Sequence, residues 1–159
     1  MKQLLAALKA LPQYSALADC LRQGQSVALT GIGQINRSHL LAGLLSESRQ
    51  PIVVVCQDDL TAKRLESELS AFLGENFPIL PTRELTLYDS IGVSRNWEQK
   101  RLRQLYDLLS GKTQLQILSW EALSLRTMPP EALNKAVFTL TVGEEYSLSE
   151  LSDRLNDCG

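Results

Sequence analysis

Two kinds of apolar pattern alternate along the chain and predict helices and strands in turn. Stripes at three- and four-residue spacing predict helices over residues 2–11, 15–23, 35–46, 59–73, 94–109 and 147–157, with shorter helical pieces at 120–125 and 130–135. Short apolar runs predict strands over residues 26–30, 52–56, 77–81, 114–118 and 137–143. Because strands that alternate with helices favour parallel pairing, we expect an α/β fold with a three-layer parallel sheet and helices on both faces.

The run at residues 52–56, IVVVC, is continuous rather than alternating. Continuous β-branched runs are typical of parallel strands that are covered on both faces. We therefore expect this strand to be buried on both sides, so that a charge at Val54 would unfold the domain.

The loop after the first predicted strand is the candidate site, because it has the form of an altered phosphate loop. The pattern GxxxxGK[ST] wraps phosphates with backbone N–H groups, and its lysine and hydroxyl contact phosphate and Mg²⁺. Here Gly31 holds the first glycine position, while Asn36, Arg37 and Ser38 hold the glycine, lysine and hydroxyl positions. Arginine keeps the charge but is a wide planar fork, and asparagine intrudes where the backbone must approach an anion. We expect a degenerate phosphate loop, kept for packing and holding no cofactor.

Two ligand-binding interpretations of this loop remain as alternatives. The first is ATP, although the residues after the predicted strand at 114–118, Ser119-Trp120-Glu121, lack the aspartate that ATP hydrolysis uses. The second is a dinucleotide, because Gly31 and Gly33 begin a GxGxxG-like pattern whose third glycine is Asn36. Asp58 and Asp59 follow the next strand, about where a ribose-binding acid would stand. The simpler interpretation places Asp58, Asp59, Glu66 and Glu68 at the N-terminus and on the solvated side of the helix predicted at 59–73.

Composition and charge narrow the remaining function classes. The 159 residues carry a net charge of -2, with 44% hydrophobic residues, which is ordinary for one soluble domain. Three separated cysteines and a single histidine, His39, predict reduced thiols and no metal site. The absence of a signal peptide or membrane-length apolar run in the sequence favours the cytoplasm and no membrane partner. The helix at 94–110 carries basic residues that could contact DNA, but a solvated face is the simpler interpretation.

The stretch PTRELTLYDSIGVSRNWEQKRLRQLYDLLSG resembles the N-terminal region of bacterial transcription-repair coupling factors. Two later stretches, QLQILSWEALSLRTMPPEAL and FTLTVGEEYSLSELSDRLNDCG, resemble that family in the same order. The positions that match the family's motifs are Arg83, Glu84, Tyr88, Asp89, Arg101 and Leu102.

The resemblance implies a particular role and domain organisation. It implies a non-catalytic scaffold fragment with a RecA-like fold of the phosphate-loop NTPase type, similar to the first domain of the excision-repair protein UvrB. The longer protein would displace stalled RNA polymerase. It implies UvrA recruitment by this module and docking onto the rest of the coupling factor, while ATP, Mg²⁺, RNA polymerase and DNA are bound by other domains. The implied divisions are a helical segment at 1–23, a UvrB-like subdomain at 24–130, and a linker with the first strand and helix of a truncated subdomain at 131–159.

Overall fold

The computed structural model describes residues 2–82 and 95–158, which lie in two compact units, residues 1–125 and 126–159. In the described ranges the elements are α1 (Lys2–Lys9), α2 (Pro12–Arg22), α3 (Gln34–Glu47), β1 (Ile52–Cys56), α4 (Asp59–Leu73), β2 (Ile79–Leu80), α5 (Arg95–Leu109), β3 (Leu115–Ser119), α6 (Trp120–Ser124), α7 (Pro130–Ala136) and α8 (Leu148–Cys158). The mixed α/β class predicted from the sequence is confirmed.

The three strands described in the first unit form one parallel sheet in the order β1-β3-β2. In register, Ile52 of β1 lies opposite Leu115 of β3, and Ile79 of β2 lies opposite Ile117. Since β3 is the central strand, every residue from Leu115 to Ser119 is buried. The sheet is therefore organised around the strand that comes last in sequence.

Helices cover the two faces of this sheet unequally. On one face, α3 and α4 pack against the strands through a core that includes Ala42, Leu69 and Ile117. On the other face, Leu105 of α5 packs on Leu118 and its neighbours, so α5 covers the half of the sheet formed by β2 and β3. The predicted arrangement of helices on both faces is present for this half.

Local capping explains why α4 begins and ends where it does. The Asp58 carboxylate accepts a hydrogen bond from the Thr61 N–H at 2.7 Å, which satisfies one of the free amides of the first turn. Gly74 ends the helix with φ +79°, a left-handed conformation that glycine adopts without strain. The helix predicted over residues 59–73 therefore has the bounds that its own sequence specifies.

The first two helices pack against α3 at a glycine. A Cβ on Gly43 would lie 2.7 Å from Leu8 Cδ2 and 3.2 Å from Tyr14 Cε2, so only glycine admits both neighbours at their present distance. Glu47, one turn further along α3, accepts a hydrogen bond from the Tyr14 hydroxyl at 3.2 Å and pairs with Lys9 at 3.1 Å. Residues 2–22 are thus an integral layer of the first unit.

Two predicted strands are wrong. Residues 26–30 form no strand and are exposed, including Val27 and Leu29, and residues 137–143 likewise form no strand. Both segments have the alternating side-chain pattern of a strand. A strand also needs a neighbour with free backbone groups, and neither segment pairs with one in the described residues.

The prediction that β1 is buried on both faces is also wrong. Ile52, Val54 and Cys56 face the core, whereas Val53 and Val55 are 52% and 45% exposed. The reason is that α5 covers the neighbouring strands and leaves this face of β1 open. A continuous apolar run therefore does not show which of its faces is covered.

The second unit holds α7 and α8. Leu133 of α7 is buried, and the Arg154 guanidinium lies 4.8 Å from the centre of the Phe138 ring. Leu148 and Leu155 of α8 are exposed. Every helix in residues 2–82 and 95–158 is too short or too polar to span a membrane.

Candidate functional site

A cavity of about 550 Å³ that is wide open to solvent lies at the start of α3, where the sequence predicts the degenerate phosphate loop. Four of its lining residues belong to the N-cap and first turn of α3, and two belong to α4. They are Gly33, Gln34, Ile35 and Asn36, and Arg64 and Glu68. Gly31 has φ +75°, and Gly33 caps the helix without a side-chain hydrogen bond. The cavity therefore joins a helix N-terminus, which favours anions, to one cation and one carboxylate.

Ser38 stands at the hydroxyl position of the loop pattern, but it faces the protein interior. Its side chain is fully buried, and its hydroxyl donates a hydrogen bond to the Glu68 carboxylate. A hydroxyl held in this way is directed at α4 and not toward the exposed loop residues. The arrangement converts a position that would contact Mg²⁺ into a link between α3 and α4.

The structure brings some of the predicted loop residues together and separates others. Gly33 and Asn36 line the cavity, whereas Gly31 and Arg37 do not belong to its lining. Arg37 is exposed, and its N–H donates to the Gly33 carbonyl within the first helical turn. The lysine position of the pattern is thus occupied by a side chain at the surface.

Sequence reasoning missed the two α4 residues of the cavity. Arg64 and Glu68 are one helical turn apart, and the sequence pattern placed Glu68 on the solvated side of the helix. That placement is wrong, because Glu68 is half-buried. Its position next to Leu69, and one turn after Leu65, was the available signal that it borders the core.

A second polar cluster surrounds Arg101, one of the residues that match the family's motifs. This side chain is 5% exposed, and its guanidinium donates hydrogen bonds to the carbonyl oxygens of Pro81 at 3.1 Å and Ala122 at 2.9 Å. These bonds connect α5 to the chain after β2 and to α6. Burial lowers the pKa of the guanidinium from its usual value. The arginine holds the carboxyl ends of two neighbouring strands together.

The cluster continues toward the end of β1. Asp59 accepts a hydrogen bond from the Thr82 hydroxyl at 3.1 Å, and the Thr82 carbonyl accepts one from the indole N–H of Trp97. These bonds join α4, the segment after β2 and α5. The contacts fix three elements at the carboxyl edge of the sheet.

The other predicted site residues fall into three groups. Leu102, beside Arg101, is partly exposed on α5. Burial of Arg101 removes it from the basic surface that the DNA-binding alternative would use, whereas Lys100 and Arg103 are exposed. The remaining positions that match the family's motifs lie outside the described residues: Arg83, Glu84, Tyr88 and Asp89.

Several titratable groups have shifted pKa values with clear causes. Burial, and secondarily the nearby Glu47 carboxylate, raises the pKa of Tyr14 to about 12. Burial also raises the pKa of the Cys56 thiol. The hydrogen bond that the Thr61 N–H donates to the Asp58 carboxylate lowers the pKa of Asp58.

His39, the single histidine, stacks on Phe72 with ring centres 5.3 Å apart. Residues 2–82 and 95–158 contain no cluster of three metal-ligating side chains.

Comparison with known proteins identifies a relative. Over 150 residues, the chain is 30% identical to a transcription-repair-coupling factor from Myxococcus xanthus. The chain is a relative of the transcription-repair coupling factors. The similarity covers 89% of this chain and 12% of the relative, so it corresponds to a small segment of that protein.

The resemblance to coupling factors that the sequence indicated is thereby confirmed. No family model matches the chain. No solved structure matches it either.

Proposed function

We propose that the chain is a non-catalytic scaffold segment of a transcription-repair coupling factor, with a RecA-like, UvrB-related fold and a degenerate phosphate loop. The transcription-repair-coupling factor of Myxococcus xanthus, which is 30% identical over 150 residues, supports the association with transcription-coupled DNA repair. We place this activity in the bacterial cytoplasm. The parallel sheet between helical layers supports the fold assignment. RNA polymerase, DNA and the ATP-driven motor would be engaged by other parts of the longer protein.

The interaction between Ser38 and Glu68 carries the non-catalytic part of this proposal. The hydroxyl that would hold Mg²⁺ is buried and donates to a carboxylate of the same domain. Arg37, in place of the lysine, is exposed and does not line the cavity. Neither the residue at the lysine position nor the hydroxyl is therefore placed as in a working loop, where the lysine contacts the phosphates and the hydroxyl holds Mg²⁺.

Calorimetric titration with Mg²⁺-ATP tests this proposal, with NAD as a second ligand. We expect no heat of binding at ligand concentrations up to about 1 mM, which corresponds to less than about 4 kcal/mol of binding free energy. The matched variant carries Asn36→Gly and Arg37→Lys, which restore the sequence pattern of a working loop. Stoichiometric binding of ATP by the unaltered chain would overturn the non-catalytic assignment.

The cavity beside α3 favours a second candidate, a nucleotide-binding domain. It combines Arg64 with the N-terminal turn of a 14-residue helix, which favours anions. If this candidate is correct, Arg64→Gln removes the binding heat of ATP or NAD, while exposed Lys63→Gln on the same helix leaves it unchanged.

The partner that we propose for the scaffold is UvrA, which the family resemblance implies, together with neighbouring domains of the same protein. Biolayer interferometry with immobilised UvrA measures the first contact directly. We expect binding by the whole coupling factor to weaken when this segment is deleted. Unchanged affinity after deletion would assign UvrA recruitment to another segment.

A further inference from the structure

Glu68 belongs both to the cavity at the start of α3 and to the interior contact between α3 and α4. Its side chain lines the cavity together with the N-cap and first turn of α3. The same carboxylate accepts the hydrogen bond from the fully buried Ser38 hydroxyl. A buried hydroxyl needs an acceptor, and a charged acceptor gives the stronger bond. The contact between the two helices therefore holds a negative charge at the wall of the cavity.

The charge of Glu68 is opposite to the charge that a phosphate loop requires in its lining. In a working loop, phosphate oxygens lie against the N-terminal turn of the following helix. In this chain that turn, residues 33–36, lines the same cavity as Glu68. An anion at the turn would therefore share the cavity with a carboxylate, and like charges at short range repel. The positive charge of Arg64, which also lines the cavity, is offset by the same carboxylate.

We propose that Glu68 is the residue that excludes nucleotide phosphates from this loop. Its carboxylate supplies the negative charge that a helix N-terminus attracts, and it binds the hydroxyl that a working loop uses for Mg²⁺. The inference rests on the proposed function, because it concerns how a degenerate loop rejects phosphate. It implies that Asn36→Gly and Arg37→Lys together do not restore ATP binding while Glu68 is present.

Calorimetric titration with Mg²⁺-ATP in the Asn36→Gly, Arg37→Lys background tests the proposal. Adding Glu68→Gln removes the charge but keeps an oxygen that can accept the Ser38 hydrogen bond, so the contact between α3 and α4 is retained. We expect this triple variant to bind ATP at least about tenfold more tightly than the double variant, which corresponds to about 1.4 kcal/mol. Because the cavity is open to solvent, the gain should shrink as the salt concentration rises.

Glu66→Gln in the same background is the matched control. Glu66 lies on the same helix, but its carboxylate accepts hydrogen bonds from the Ser70 hydroxyl at 2.8 Å and the Phe77 N–H at 3.3 Å and does not line the cavity. We expect this variant to leave the ATP affinity of the double variant unchanged. Urea unfolding of each variant establishes that it is folded under the conditions of the titration.

Equal ATP affinities of the double and triple variants would overturn the inference, whether both bind or neither does, and would leave the proposed function standing. A gain that Glu66→Gln reproduces would also overturn it, as would a gain that persists in about 1 M NaCl, where charge repulsion is screened. ATP binding by the unaltered chain, with Glu68 in place, would overturn both the inference and the proposed function. The two failures therefore give different results.

Discussion

Replacing Arg101 by methionine measures how much its buried hydrogen bonds stabilise the first unit. The guanidinium donates to two carbonyl oxygens, of Pro81 and Ala122, and the side chain is 5% exposed. Hydrogen bonds to a charged group contribute about 1.5–3 kcal/mol each, so losing two costs about 3–6 kcal/mol. Methionine avoids the cost of burying a cation, which offsets part of that loss. We expect Arg101→Met to destabilise the chain by about 2–4 kcal/mol.

Arg103→Met is the matched control on the same helix. The Arg103 side chain is 73% exposed and pairs with Asp107 at 3.0 Å, an arrangement that contributes about 0–0.5 kcal/mol at a surface. Urea unfolding followed by tryptophan fluorescence gives both free energies. In thermal melts, the Arg101 variant should lose about 4–16 °C for a chain of this size. Equal midpoints for the two variants would refute the assignment of a structural role to Arg101.

Three further predictions concern the core, the sheet and a titrating group. Leu69→Ala should cost about 2–5 kcal/mol in urea unfolding, whereas Leu60→Ala on the same helix, at a 68% exposed position, should cost less than about 0.5 kcal/mol. Val54 faces the core, so Val54→Asp should destabilise the chain by at least about 3 kcal/mol. Val53 lies on the open face, so Val53→Asp should cost less than about 1 kcal/mol. Equal losses of stability would contradict the description of β1 as covered on one face only. Burial raises the pKa of Tyr14 to about 12, above the usual value of 10.0 for a tyrosine. The protonated hydroxyl therefore contributes its full stabilisation below pH 10, and this contribution falls as the pH rises toward 12. The urea midpoint of the unaltered chain should therefore fall between pH 10 and pH 12 by more than the midpoint of Tyr14→Phe does. An identical pH dependence of the two midpoints would contradict this prediction.

Elements with local determinants were predictable from the sequence. The helix α4 has its cap at Asp58, its apolar stripe and its terminating glycine within one short segment, and its predicted bounds match the structure. The central strand β3 was placed within one residue of its position. Both depend on neighbours in sequence or on a strongly apolar composition.

Features that depend on distant partners were not predictable in the same way. The strand order β1-β3-β2 and the open face of β1 follow from which helix covers which strand. At the candidate site, the hydroxyl of Ser38 was recognised as a loop position, but its acceptor is 30 residues away on α4. Glu68 was predicted to face solvent. The spacing of the apolar residues on a helix defines its buried face only to within about a quarter of a turn, so a residue at the border of that face can be misplaced.

The central position of β3 has a consequence for the order in which the chain can fold. Both strand pairs that the structure describes include β3, and β1 is not paired with β2. During synthesis, β1 and β2 therefore leave the ribosome with no partner strand until residues 115–119 have followed them. Helical packing among α1, α2, α3 and α4 can begin earlier, since all four precede β2. In a nascent chain that stops short of Leu115, the helices should thus be packed while the valines of β1 remain exposed, because their partner strand has not yet been made.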